Sequence, residues 1–250
     1  MRHVLIHTLL ATVLATACPA SSKAEPSAQA PTIEPAAQAM VKALTAQLGA
    51  ARTIRLTAKH ELDPALGVGA KFEKGPIQLT VQRPNWFYAI QRAGEQTREI
   101  AYDGKEICLM QPELKNHTLE PLKASTIEQF ADGADSRFGF RPPLAELLSA
   151  DPGAQLMLHV TSARVMGSEW VGWTRCDRLH FEQKGLTGDL WVGKKDGLPH
   201  RYLLTYTDIK GNPTWDIRLT KWELDVPVDA ALFTKRPAPD SFRIKMLKTP

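Results

Sequence analysis

The amino-acid sequence predicts an α+β domain built on an antiparallel sheet with its helices gathered on one face. Three observations carry this. Apolar and polar residues alternate at a period of two in two long blocks, near residues 53–119 and 162–219. One amphipathic helix precedes the first block. Three short helical segments separate the blocks, an order that does not fit repeated βαβ units.

The N-terminus comes first in the chain and stands apart in composition. Arg2 and His3 open it, and Val4 to Ala17 is apolar but only about 14 residues long, too short to span a bilayer. Residues 1–24 are therefore expected to be a secretion signal, with a periplasmic destination. Two processing routes fit. Ser22-Lys23-Ala24 is a small-x-small cleavage site before Glu25. Alternatively, Leu14-Ala15-Thr16-Ala17-Cys18 resembles a lipobox with Ala15 where a Leu is usual, and Cys18 would then be acylated and anchor the protein to the envelope. Residues 25–33 are rich in Pro, Ala, Ser and Gln and are expected to be a disordered tether, leaving residues 34–250 as one domain. No long apolar stretch follows Pro31, so no transmembrane segment is expected in the mature chain. The net charge of +4 falls to +2 without Arg2 and Lys23, too weak for the clustered basic field that nucleic acid requires.

Pro35 suits a first helical turn, and Ala37, Met40, Val41, Leu44 and Leu48 then form one apolar stripe that Gly49 ends. Ile54, Leu56, Ala58 and Leu62 mark a strand, as do Ile77, Leu79 and Val81. Pro84 ends that strand and Trp86 begins another. Asp103-Gly104 is expected to turn a hairpin with two positive φ values, followed by strands near Ile107–Met110 and His117–Leu119. In the middle, Ser125 is placed to cap a helix reaching about Asp132, with Glu128 completing a capping box. Pro142-Pro143 and Asp151-Pro152 start two further short helices, carrying Leu144, Leu147, Leu148 and Leu156. Strands resume at Ser162, a helical turn is expected over Val228–Phe233, and Phe242–Leu247 is a last strand or tail.

Several segments, taken in order, resemble a known family of periplasmic proteins, domain of unknown function 2092. They are Arg83-Pro84-Asn85, Tyr102-Asp103-Gly104-Lys105, the run from Pro142 to Pro152, the run from Gly185 to Val192, Leu198-Pro199-His200-Arg201, and Leu232-Phe233. The resemblance spans about residues 35–245. It implies a fold similar to the periplasmic lipoprotein carrier and the outer-membrane lipoprotein receptor: a curved antiparallel sheet forming an unclosed half-barrel, with helices on its concave, open side around an apolar cavity. It carries across no catalytic residue, because the family has no established activity.

Enzymatic signatures are missing. There is no Gly-x-Ser-x-Gly elbow, zinc helix, phosphate-binding loop or dinucleotide fingerprint. Cys176 and His180 share a strand face but are only two ligands, short of a zinc site, so neither a metal nor a cofactor is expected. The aromatics are more informative. Trp86, Tyr88, Trp191, Tyr202, Tyr206 and Trp215, with Leu204 and Ile217, fall on strands and are the residues expected to line a cavity for an acyl chain or similar apolar molecule. Leu144, Leu147, Leu148 and Leu156 would be its lid. Solid packing of the same aromatics is the alternative. Cys108 and Cys176 are available either for one disulfide or as two buried thiols. The function expected is a non-enzymatic carrier or receptor for lipid, lipoprotein or another apolar ligand; the alternative is an envelope interaction or sensor protein with a filled core. An enzyme built from distant residues is the remaining reading.

Overall fold

A computed structural model describes residues 31–66, 72 and 74–245. The leader, its cleavage site and Cys18 lie outside the described residues. Thr32–Ile33 forms a two-residue strand, β1, so the part of the expected tether that is described belongs to the domain. Helix α1 (Pro35–Gly49) follows. Six strands come next: β2 (Thr53–Leu62), β3 (Lys74–Gln82), β4 (Trp86–Ala93), β5 (Gln96–Tyr102), β6 (Glu106–Gln111) and β7 (Asn116–Pro121). Helices α2 (Ile127–Phe138), α3 (Ala145–Leu148) and α4 (Pro152–Leu156) lead to β8 (Val160–Val171), β9 (Thr174–Gln183), β10 (Leu186–Gly193), β11 (Pro199–Tyr206) and β12 (Thr214–Leu224). A short 3₁₀ turn at Ala230–Leu232 and β13 (Phe242–Arg243) complete the described chain.

The thirteen strands of the described residues form one unclosed sheet, in the order β1-β8-β9-β10-β11-β12-β2-β3-β4-β5-β6-β7-β13. Two antiparallel meanders are joined where β12 pairs with β2, and only the two-residue edge strands run parallel to their neighbours. The helices α2–α4 connect β7, near one edge, with β8, near the other. Their apolar residues Ile127, Phe130, Ala134, Leu147 and Leu148 join the same buried cluster as Ile54, Leu56, Leu79, Leu190 and Ile217 of the sheet. The helices therefore cover one face, and the α+β half-barrel plan holds.

Local details depart from the expectations. The Asp103-Gly104 turn has one positive φ, at Gly104 (89°), because Asp103 Oδ1 instead accepts from the backbone N–H groups of Lys105 and Glu106. Helix α2 is capped by Thr126, whose side chain accepts from Gln129 N–H, and it runs six residues beyond Asp132 to Phe138. Gly188 on β10 is required by a cross-strand neighbour: a Cβ there would lie 2.1 Å from the Phe181 ring.

Arg83, in the β3–β4 turn, ties two helix ends together. One guanidinium nitrogen donates to the carbonyls of Leu48 (2.7 Å), Gly49 (3.1 Å) and Ala51, and the other to those of Leu148 (3.2 Å) and Ser149. These are carbonyls at the C-terminal ends of α1 and α3, which have no intrahelical partner. Burial lowers the guanidinium pKa, and the Glu128 and Asp225 carboxylates oppose that shift. Arg83→Met removes five charge-assisted bonds and leaves their acceptors enclosed, a loss of about 3 kcal/mol or more. Urea denaturation reads this directly; a midpoint equal to wild type would show that the helix ends do not need the guanidinium.

Candidate functional site

Alternation along each strand sorts the aromatics between two faces. On β11 and β12, Tyr202, Leu204, Tyr206, Trp215 and Ile217 face the helices, where Tyr202, Leu204 and Ile217 are buried and Tyr206 and Trp215 pack against the cluster. Trp86 and Tyr88 do not. They belong to a separate outer cluster with Ile90, Ala101, Cys108, Met110 and Phe233, because the C-terminal 3₁₀ turn packs Phe233 against the outer face of β4–β6. The Trp86 and Phe233 ring centroids are 5.4 Å apart. Tyr88 donates to Glu99 Oε2 at 2.7 Å, and Lys235 donates to the same oxygen. Burial and that carboxylate push the Tyr88 phenol well above its usual range. Trp191 also faces outward, between Arg178 (5.8 Å) and Arg201 (4.6 Å), with its indole donating to Glu169 at 3.0 Å. These three aromatics are corrected from cavity lining to outer-face packing. The sequence signal was present in β4: Trp86 to Ile90 is apolar at every position, the mark of a strand buried on both sides.

Of the two states considered for the cysteines, the disulfide does not form. Both are free and buried, with seven strands of the sheet between them. Burial pushes the Cys176 thiol up to about 11 and raises that of Cys108, leaving both protonated at neutral pH.

Leu144, Leu147, Leu148 and Leu156 lie in the packed interior at 0–4% exposure, and none lines the cavity. The helix-side wall is the α2–α3 connection, Phe138 to Pro143. Opposite it, residues of β2 to β6, β11 and β12 border a cavity of about 660 Å³. Leu62, Ile77, Ala89, Ile100, Leu109 and Trp215 make its walls. The volume lies within the range of small-ligand sites. Thus Tyr206 and Trp215 border the space, whereas Tyr202, Leu204 and Ile217 fill the adjoining core.

Besides Tyr206 and Trp215, the polar side chains among the described residues that border the same space are His60, Gln91, Arg98 and Arg141. Trp215 Nε1 donates to His60 Nδ1 at 3.3 Å, and Gln91 Nε2 donates to the Phe72 carbonyl at 2.8 Å. The Arg98 guanidinium lies 4.1 Å from the Phe72 ring centroid. Arg98 was legible in principle, since it stands two and four residues before the inward-facing Ile100 and Tyr102. Among the described residues no group of three or more His, Cys, Asp or Glu side chains is arranged to hold a metal, and no helix is long and apolar enough to cross a membrane.

A family described as a predicted periplasmic protein, domain of unknown function 2092, matches residues 37–247. The chain belongs to this family. No curated protein matches it in sequence. Among solved structures, the chain is similar to LprF from Mycobacterium bovis, with a TM-score of 0.47 at 12% identity over 81% of this chain and 98% of that one. The Mycobacterium tuberculosis lipoprotein LppX aligns with a TM-score of 0.48 at 13% identity, over 79% of this chain and 99% of its own. A LolA superfamily protein from Nitrosomonas europaea aligns at 0.38 and 10% identity, over 80% and 97%.

His60 gives the family member's cavity a pH signature. Burial lowers the His60 pKa below its ordinary 6.5. The unfolded chain therefore takes up that proton more readily than the folded one, so the stability tied to neutral His60 is complete above about pH 6.5 and is lost as pH falls through the folded value. His60→Gln should flatten the fall in melting temperature between about pH 7 and pH 5. An unchanged fall would assign the acid sensitivity to other groups.

Proposed function

We propose that this protein is a non-enzymatic envelope carrier or receptor that holds an apolar ligand, such as a lipid or the acyl chain of a lipoprotein, in the cavity between β2–β5 and the α2–α3 connection. The observation that carries this reading is the cavity itself: about 660 Å³ of space walled largely by aliphatic and aromatic side chains beside the buried core. Covering that apolar surface with a ligand is favourable by roughly 25 cal/mol per Å² removed from water. The flexible element in this reading is the Phe138–Pro143 connection, since the leucines of α3 and α4 are held in the core. The family description supports a periplasmic setting, with export by the 1–24 leader and a mature N-terminus at Glu25, which N-terminal sequencing checks; an acylated Cys18 would instead make the protein membrane-anchored.

A second reading, an interaction protein, is favoured by one feature. The β8–β9 hairpin carries Trp170 and Trp173 at 65% and 99% exposure, an aromatic surface apart from the cavity. Calorimetry separates the two. Fatty acids, phospholipids and acylated peptides should bind the delipidated protein below millimolar concentration with a negative heat-capacity change, and Ile100→Asp should weaken binding while circular dichroism stays native. Absence of binding by every chain tested would leave the hairpin reading in place.

A further inference from the structure

The cavity is apolar in its walls but cationic in its polar groups. Among the described residues, the charged side chains that border it, Arg98 and Arg141, are both basic, and no carboxylate borders it. The two differ in how far they are already neutralised. Arg141 forms an ion pair with Asp132 at 2.8 Å on the protein surface. Arg98 is half-buried on the inner face of β5, and among the described residues it has no ion-pair or hydrogen-bond partner; its neighbour is the Phe72 ring. Burial raises the pKa of Tyr206, and Glu146, on α3, adds to that shift from nearby but does not border this cavity.

A half-buried guanidinium without an acceptor is costly, since it loses part of its hydration and gains no anion in return. Burial accordingly lowers the Arg98 pKa. The ring beneath it compensates weakly, because a cation–π contact occupies the face of the guanidinium and leaves the in-plane N–H donors free. Those donors match a carboxylate or phosphate oxygen pair. Resting on the apolar-ligand reading above, we infer that the ligand is an amphiphile with an anionic head: its chain lies among Leu62, Ile77, Ala89, Ile100 and Leu109, and its carboxylate or phosphate pairs with Arg98, with Arg141 adding positive charge nearby.

Head-group charge is tested with the chain held constant. Dodecanoate, dodecyl phosphate, dodecyl maltoside and dodecyltrimethylammonium are titrated into the delipidated full chain below their micelle-forming concentrations, with acetate and inorganic phosphate as controls. The two anionic amphiphiles should bind at least tenfold more tightly than the cationic one, and the small anions should not bind, which places the anion on a chain rather than in a free-ion site. Arg98→Met should cost the anionic ligands about tenfold, the equivalent of one charged pairing, and leave dodecyl maltoside unchanged. Arg98→Lys should recover part of the loss. Equal binding of anionic and cationic amphiphiles to the wild type overturns the head-group inference while leaving the cavity reading intact. Failure of every dodecyl compound overturns the cavity reading itself. The wild-type comparison stands even if the Met variant does not fold.

Discussion

The Arg83 guanidinium is the constraint on which the rest of the architecture depends. A sheet that stays open has two problems: an exposed apolar inner face, and helices that must be held over it without a closing strand. Arg83 addresses the second by drawing the C-terminal ends of α1 and α3 to one turn of the sheet. Neighbouring groups extend the junction. Asp225 accepts from the N–H of Arg52, Glu128 accepts from that of Ala150, and Asn85 donates to the Ala124 carbonyl. Gly104 must be a glycine partly because Asn85 lies against it, 2.5 Å from where a Cβ would stand.

This fixes one end of the half-barrel and leaves the other less filled. Arg83 N–H bonds to the Arg52 carbonyl at the start of β2, whereas the cavity lies at its end, around His60 and Leu62. The seven residue steps of strand from Thr53 to His60 span about 23 Å. At the anchored end Phe130 stacks on Tyr102 at 3.9 Å and meets Phe87 at 5.3 Å, so space is consumed by rings. The packing is therefore uneven along the strands, and the void falls away from the helix ends that Arg83 ties down.

Much of this plan was legible in the chain. Period-two alternation located the long strands, Pro35 and Pro152 located helix starts, and the ordered motifs indicated the family. Two of those motifs, Arg83-Pro84-Asn85 and Tyr102 to Lys105, meet at the anchored end and report how the fold is held, whereas the Pro142–Pro152 run reaches from the cavity wall at Pro143 to the Arg83 contacts at Leu148 and Ser149. The site was less legible. Aromatic content alone cannot say which face a strand residue takes when the strand is buried on both sides, and the covering of β4–β6 comes from Phe233, over a hundred residues away in sequence. The cavity wall at Phe138–Pro143 was equally hidden, because it depends on α2 running longer than its cap predicted. Arg98 shows the converse: its spacing from Ile100 and Tyr102 placed it inward, but only the geometry around Phe72 gives that position chemical meaning.

An anchored end beside a ligand-receiving end makes a spatial claim, and hydrogen exchange read by mass spectrometry tests it most directly. Saturating the protein with dodecanoate should slow amide exchange in Phe138–Arg141 and in Arg98–Ile100, while α3 and the Arg83 turn exchange at the same rates with and without it. Protection confined to the β8–β9 hairpin, or spread evenly over the anchored helices, would contradict the account.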